Sequence, residues 1–395
     1  MAENNTHLKP SKPPIWNDPK YRSLFFQALL MFGLGLFIYT IVQNTLTNME
    51  ARGISTGFAF MSEKSGFDIL QSLIPFNSDS TYGRTFIVGI LNTLLVSALG
   101  IFFATILGFL IGVARLSNNW LLSKIATVYI ETFRNIPLLI QIFFWYIVVL
   151  RAMPSARNSH SLFDSFFLNV RGLYLPAPVT ESGFIYTVIT FIIALIAVFI
   201  LKNWAKKRQE ATGQPFPVLL TSLGLLILAP LLVFLVTGSP LTWDVPVLKG
   251  FNFKGGISVI PELFALLLAL TIYTAAFIAE IVRSGIKAVS HGQTEAALSL
   301  GLTPSQTLRF VVIPQAMRVI IPPMTSQYLN LLKNSSLATA IGYPDLVSVF
   351  MGTTLNQTGQ AVEIIMMTMT VYLTFSLLIS AFMNWYNAKM ALTER

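Results

Sequence analysis

Asn330, Lys333, Asn334, Ser335 and Ser336 crowd a polar patch into an otherwise apolar stretch near 319–340, and their types suit one task. An ammonium attracts a carboxylate, while amides and hydroxyls can satisfy the remaining polar atoms of a small zwitterion. The patch is therefore a possible substrate path. A second reading has Lys333 snorkelling, or meeting the carbonyls of a helix that Pro322 and Pro323 kink or break. Both are recognition chemistry rather than bond-breaking chemistry. The three histidines, His7, His160 and His291, are scattered, with no i, i+4 pair to hold a metal. Zero cysteines exclude thiol catalysis and cysteine metal sites. No nucleophile, base and orienting acid come together within the apolar stretches, and no G-x-x-x-x-G-K-S/T phosphate loop occurs. No catalytic, cofactor-binding or metal-binding residue is expected, and the chain is not expected to be an enzyme.

A second distinctive stretch is polar and lies between apolar ones: SHGQTEAALSLGLTPSQTLRFVVIP, residues 290–314. Gln293 to Leu300 is a run of good helix formers, and Gly301 stands where a residue just past a helix end takes positive φ at no steric cost. Thr303, Pro304 and Gln306 supply an N-cap, a first-turn proline and the partner of a capping box. A second helix is expected to start there and run until Pro314. Two short helices at a fixed angle make a rigid knob. Ala296 and Ala297 keep one side slim enough to enter another protein's groove, and Glu295, Arg309 and Arg318 place polar contacts around it. An EAA tripeptide by itself reads as an ordinary amphipathic loop.

Membrane helices are needed to position these residues. Mean hydropathy is +0.67, 54% of residues are hydrophobic and 11% are charged, against roughly 25% charged in soluble domains. Apolar stretches long enough for the roughly 20 residues of a helical span fall near 24–46, 85–113, 119–150, 184–201, 218–237, 257–283, 319–340 and 363–388. About eight transmembrane helices are expected in an all-α integral membrane protein, the third and seventh being interrupted. Pro137 breaks the third, where neighbours must satisfy the freed backbone. Glu131 and Arg134 are expected to pair with one another at i, i+3, as are Glu280 and Arg283. Glu262 and Glu363 mark outer span ends.

Lys and Arg placement orients the spans. Lys9, Lys12, Lys20 and Arg22 precede the first, Lys202, Lys206, Lys207 and Arg208 follow the fourth, and Arg283, Lys287, Arg309 and Arg318 flank the 290–314 loop. An even span count puts both termini and all three clusters in the cytoplasm. Topology and anionic membrane lipid then explain the net charge of +9 without nucleic acid. The first 23 residues are polar and basic, and the apolar run after them is too long for a signal-peptide core, so it reads as a retained anchor. Residues 151–183 carry FDSFFLNVRGLYLP, aromatic enough to lie at the bilayer surface or to form a docking lip.

The spacing Glu295, Ala296, Ala297, Gly301, Val311, Ile313, Pro314 resembles the EAA loop of ABC importer permeases. Val311 stands for the usual Ile and Ile313 for the usual Leu, with no change to the apolar face. In that family the loop, here Glu295, Ala296, Ala297, Gly301, Thr303, Pro304 and Pro314, is the coupling helix that docks on a separate ATPase. NT at 92–93, RLS at 115–117, ETFRNIPLLIQ at 131–141, TAAFIAEIVRSGIKAV at 274–289 and LNLLKNSSLATAIGYPDL at 329–346 resemble the polar amino acid (histidine and glutamine permease) family, in its longer, general L-amino-acid form. The resemblance implies a five-helix ABC type I importer core plus three added helices. The expected division is a cytoplasmic tail (1–23), an N-terminal helix (24–46), a first core part (85–150), outer loops with an inserted helix pair (151–256) and a second core part (257–390). It also implies two copies of an ABC ATPase that carries the ATP and Mg, and a second homologous permease subunit in a heterodimer. A periplasmic amino-acid-binding protein would deliver an L-amino acid for entry across the bacterial inner membrane by alternating access. The other function class is an ion- or proton-coupled secondary amino acid transporter, which would need internal repeats that are not evident.

Overall fold

The computed structural model describes residues 18–51, 53 and 56–390. His7, Lys9 and Lys12 lie outside the described residues, as does most of the expected tail. The chain begins with α1 (Pro19–Ala51), α2 (Tyr82–Arg115), α3 (Trp120–Asn135) and α4 (Leu138–Phe143), which runs on as a π-helical stretch, Phe144–Leu150. Four short strands follow: β1 (His160–Leu162), β2 (Phe166–Asn169), β3 (Gly172–Leu175) and β4 (Ala177–Thr180). A helical hairpin of α5 (Phe184–Thr212) and α6 (Val218–Val236) leads to β5 (Leu241–Asp244), β6 (Val247–Lys249), β7 (Asn252–Lys254) and β8 (Ile257–Val259). The second half contains α7 (Pro261–Lys287), α8 (His291–Ser299), α9 (Pro304–Thr307), α10 (Ile313–Asn334), α11 (Leu355–Thr358) and α12 (Ala361–Met390).

Among the described residues, six helices are long and apolar enough to cross a membrane, and α3 with Leu138–Leu150 makes a seventh span bent by 106°. The seventh expected span, 319–340, holds most of α10. It is one continuous helix, but Gln315, Arg318, Gln327, Asn330 and Lys333 make it more polar than the others. Pro322 and Pro323 do not break it as expected; the helix passes through both and ends at Asn334.

The core forms where α2 meets α7, with α10 against the second face of α7. Gly100, Ala104, Gly108 and Gly112 recur every four residues along α2 and are all buried. A Cβ on Gly108 would sit 2.6 Å from Ile278 Cβ, and one on Gly112 would sit 2.8 Å from the Ala279 carbonyl oxygen. Small residues at this spacing let membrane helices approach closely. Ala275, Ile278 and Val282 of α7 pack in one buried cluster with Ala316, Ile320, Ile321 and Met324 of α10. Gly285 permits the α7–α10 approach in the same way, because its missing Cβ would lie 2.3 Å from Ile320 Cγ1. By contrast, α1 buries only Met49 among its residues.

The aromatic outer segment folds into strands. Residues 160–175 pair with 257–259 in a four-stranded antiparallel sheet, ordered β1-β2-β3-β8, and two ribbons, β4-β5 and β6-β7, flank it. Ala156, Tyr174 and Phe253 form a small core with Phe167, whose ring stacks on Phe253 at 4.5 Å. Tyr174 and Phe167 are thus used in sheet packing, while Phe163 and Phe166 stay exposed.

Candidate functional site

The 290–314 knob forms largely as its residues dictate. In α8 the C-cap is Leu300, and Gly301 follows at φ +79°. The Leu302 amide donates to the Ala297 carbonyl at 3.2 Å and the Gly301 amide to the Leu298 carbonyl at 3.0 Å, closing a Schellman turn. Thr303 then caps α9: the Gln306 amide donates to Thr303 Oγ1 and the Thr303 amide donates to Gln306 Oε1, a complete capping box. Gln315 Nε2 donates to Gln293 Oε1 at 3.1 Å, tying the first helix of the knob to α10.

Four expectations about the knob are corrected. The second helix does not stop at Pro314. A π-helical stretch, Leu308–Val312, carries it into α10, and Pro314 lies within the continuous helix rather than ending it. Ala296 and Ala297 do not share one slim side, because Ala296 is exposed while Ala297 is buried at 4% exposure beneath the turn. The outward surface is more apolar than the polar sequence suggested, with Leu300 83% and Phe310 61% exposed. Glu295 pairs with His291 at 3.0 Å, and Arg309 lies over the Phe310 ring. Arg318 does not make the expected polar contact: its Nε and one terminal nitrogen are buried without a hydrogen-bond partner among the described residues.

Behind the knob, the helix ends are joined by charge. Arg115 bonds Glu280 at 2.5 Å and Glu131 at 3.3 Å, and Glu280 also holds Arg283 at 2.5 Å, as its spacing predicts. Glu131 therefore pairs with Arg115 and not with Arg134, because the 116–119 turn folds α3 back along the end of α2. The Arg134 guanidinium lies 5.2 Å from the centre of the Phe277 ring. It borders a cavity of ≈ 340 Å³ that Glu280, Ser284, Ser326 and Gln327 also line.

The break at Pro137 is satisfied from within the chain. Ile136 is extended, as a residue before proline must be. Buried Gln141 donates to the Phe133 and Ile136 carbonyls at 3.0 and 2.9 Å, which the broken helix would otherwise leave unpaired. Asn92 and Thr93 act in a similar way on the second half. Asn92 Nδ2 donates to the Pro344 carbonyl at 2.8 Å, the Leu346 amide donates to Thr93 Oγ1 at 3.0 Å, and Tyr343 Oη donates to the Asn92 carbonyl at 3.0 Å.

The polar patch at the end of α10 divides in two. Ser335 is fully buried and donates to the Leu332 carbonyl at 2.7 Å, and Ser336 donates to the Lys333 carbonyl at 2.7 Å. The serines meet the helix-end carbonyls, the task one reading gave to Lys333. Lys333 and Ser336 instead share a cavity of ≈ 390 Å³ with Val347, Met351, Thr368, Met369 and Tyr372. Asn330 is exposed and Asn334 half-buried, and neither lines that cavity. Thr368 and Tyr372 come from α12, thirty or more positions away in an apolar stretch, where no local signal marks them.

Residues 100–392 match the family model described as "Binding-protein-dependent transport system inner membrane component". The chain is 57% identical over 378 residues to the general L-amino acid transport system permease protein AapQ of Rhizobium johnstonii, covering 96% of this chain and 94% of that protein. It is 56% identical to the putative amino-acid ABC transporter permease protein YhdX of Escherichia coli, covering 96% of each. Over 411 aligned residues it is 44% identical to the glutamate/glutamine/aspartate/asparagine transport system permease protein BztB of Rhodobacter capsulatus, again covering 96% of each. With a bundle of membrane helices, a doubly capped knob between α7 and α10 and a match over most of its length, the chain belongs to the family of inner membrane components of binding-protein-dependent transport systems.

Proposed function

We propose that this chain is the substrate-translocating permease subunit of an ATP-binding cassette importer for L-amino acids, and that the Glu295–Pro314 knob receives the motion of a separate ATPase. The observation that carries the reading is the knob itself. A Schellman turn and a capping box fix its angle, and Ala296, Leu298 and Leu300 face outward on it. Full-length similarity to amino-acid permeases supports the substrate class. Two ATPase copies hold ATP and Mg beneath the membrane, and a second, homologous permease subunit completes the pore as a heterodimer. A periplasmic binding protein delivers the amino acid on the strand-bearing side. Both termini and the knob are cytoplasmic, and α1, α5 and α6 are additions around a five-helix core. The substrate passes Asn330, Lys333, Asn334, Ser335 and Ser336. No feature of the fold favours an ion-coupled carrier.

The test is affinity purification of the tagged chain in mild detergent, with ATP hydrolysis measured on the recovered material. Recovery of an ATPase and a second permease is expected, with both hydrolysis and the ATPase lost on Ala296→Arg, a substitution on the outer surface that leaves the buried Ala297 in place. A lone chain indifferent to ATP would overturn the reading.

A further inference from the structure

The hairpin of α5 and α6 packs on itself and hardly on the rest of the chain: α5 buries only Ala194 and Ala205, and α6 only Ser222 and Pro230. The two ends nearest the strands are held level, because Thr180 pairs with Leu241 in the β4–β5 ribbon that precedes α5 and follows α6. The helices differ in length, 29 residues in α5 and 19 in α6, or about 44 Å against about 29 Å at the helical rise per residue. Only the shorter one matches a hydrocarbon core of roughly 30 Å. The far end of α5 therefore stands beyond that core, at the depth of the lipid headgroups, and it carries Lys202, Lys206, Lys207 and Arg208.

These cations are largely unmet. Lys202, Lys207 and Arg208 have no side-chain hydrogen bond or ion pair among the described residues. Lys206 lies 3.9 Å from Glu210, the hairpin's one acidic residue, in a pair that is mostly exposed. Arg208 is nevertheless held in place. Gly213, at φ +70°, turns the chain back so that the Phe216 ring meets the Trp204 ring edge-on at 5.3 Å. The Arg208 guanidinium sits over both rings, 5.4 Å from Trp204 and 5.8 Å from Phe216. Stacking occupies the face of a guanidinium and leaves its in-plane N–H donors free for a bidentate bond to phosphate. One helical turn and more before the cations, Leu195, Ile196, Phe199 and Ile200 are exposed and apolar. Cations at headgroup depth above an apolar wall repeat the layout of a phospholipid with a negative headgroup over its acyl chains.

We propose that this end of the α5–α6 hairpin is a binding site for an anionic phospholipid, with Arg208 bonding the phosphate and Lys202, Lys206 and Lys207 supplying the preference for negative charge. The inference does not depend on which solute the importer carries. It gives the hairpin a lipid anchor where it lacks a protein wall.

The test purifies the tagged chain with the subunits that accompany it, strips endogenous lipid with detergent, and adds phosphatidylglycerol or phosphatidylcholine of matched acyl chains. Lipid retained on this chain is read by native mass spectrometry. Phosphatidylglycerol is expected to be retained about tenfold better, the scale that basic residues confer near an anionic surface. Arg208→Gln should abolish the preference, and Arg208→Lys should keep part of it. Trp204→Leu should weaken it with every charge still in place, a result that diffuse attraction would not give. Arg22→Gln, which removes an exposed cation in the first turn of α1, should leave it unchanged, and inorganic phosphate should not displace the lipid. Equal retention of the two lipids, equal loss from Arg208→Gln and Arg22→Gln, or displacement by inorganic phosphate would each overturn the site. So would loss of an accompanying subunit from Arg208→Gln with lipid retention unaltered, since the cations would then serve a protein contact. Should Arg208→Gln fail to assemble, Phe216→Leu removes one supporting ring and no charge, and an unaltered preference in that variant overturns the site as well.

Discussion

Gly301 turns the knob at φ +79° with nothing within 4 Å of the place a Cβ would occupy. A side chain there would meet no neighbour, so the cost of Gly301→Val is conformational, about 1–2 kcal/mol for a left-handed residue. The expected result is normal assembly with ATP hydrolysis no longer matched to uptake, read as the ratio of ATP consumed to amino acid imported. Gln141 presents the opposite case, a side chain whose value lies wholly in its contacts. Gln141→Leu keeps the volume and leaves two carbonyls unpaired at the bend, at roughly 1–3 kcal/mol for each such group. A lowered Tm of the detergent-solubilised complex, restored toward wild type by Gln141→Asn only if the shorter amide still reaches, measures this. At this scale the sequence was legible wherever a residue acts on its own backbone: Thr303, Pro304, Gln306 and Gly301 do what their spacing indicates. It was not legible where the partner lies far along the chain, as when Glu131 pairs with Arg115 rather than with the nearer Arg134.

Among the elements, the α2–α7 contact depends on the missing side chains of Gly108 and Gly112. Gly108→Leu would drive a side chain into Ile278 and the Ala275 carbonyl, an overpacking that costs typically 1–3 kcal/mol. A fall in Tm and in recovered complex is expected. The matched change Gly33→Leu in α1, where nothing lies within 4 Å, should leave both unaltered, and equal effects from the two would discredit the packing argument. Span existence was readable from apolar length for α1, α2, α5, α6, α7 and α12. The sheet of the outer loops was not, because its strands are three or four residues long and close with a partner some eighty positions away. Such short segments carry too few residues for an alternation to register. Pro322 and Pro323 misled for a related reason: packing of Ile320, Ile321 and Met324 against α7 holds the helix through them.

At the scale of the whole molecule, the proposed coupling knob and the proposed substrate path fall at opposite ends of one helix. The knob precedes α10 and the Lys333 cavity closes it, with α9, the π-helical stretch and α10 running between without a loop. Membrane character and the knob were readable from composition and spacing. The cavity was readable only by half, since Lys333 and Ser336 stood out as polar residues in an apolar stretch while Thr368 and Tyr372 did not.

The π-helical stretch between knob and membrane helix sets a phase. A π turn is an α turn with one residue to spare, so Leu308–Val312 fixes the azimuth at which Ala296 and Leu300 point relative to the Lys333 face. Removing one residue from this stretch would restore plain α geometry and swing the knob by about 100° around the α10 axis, the rotation of a single residue at 3.6 per turn. Knob and cavity would each remain intact, yet the complex is expected to bind amino acid and fail to retain its ATPase. The molecule would then be a correct key cut on the wrong side of its shaft.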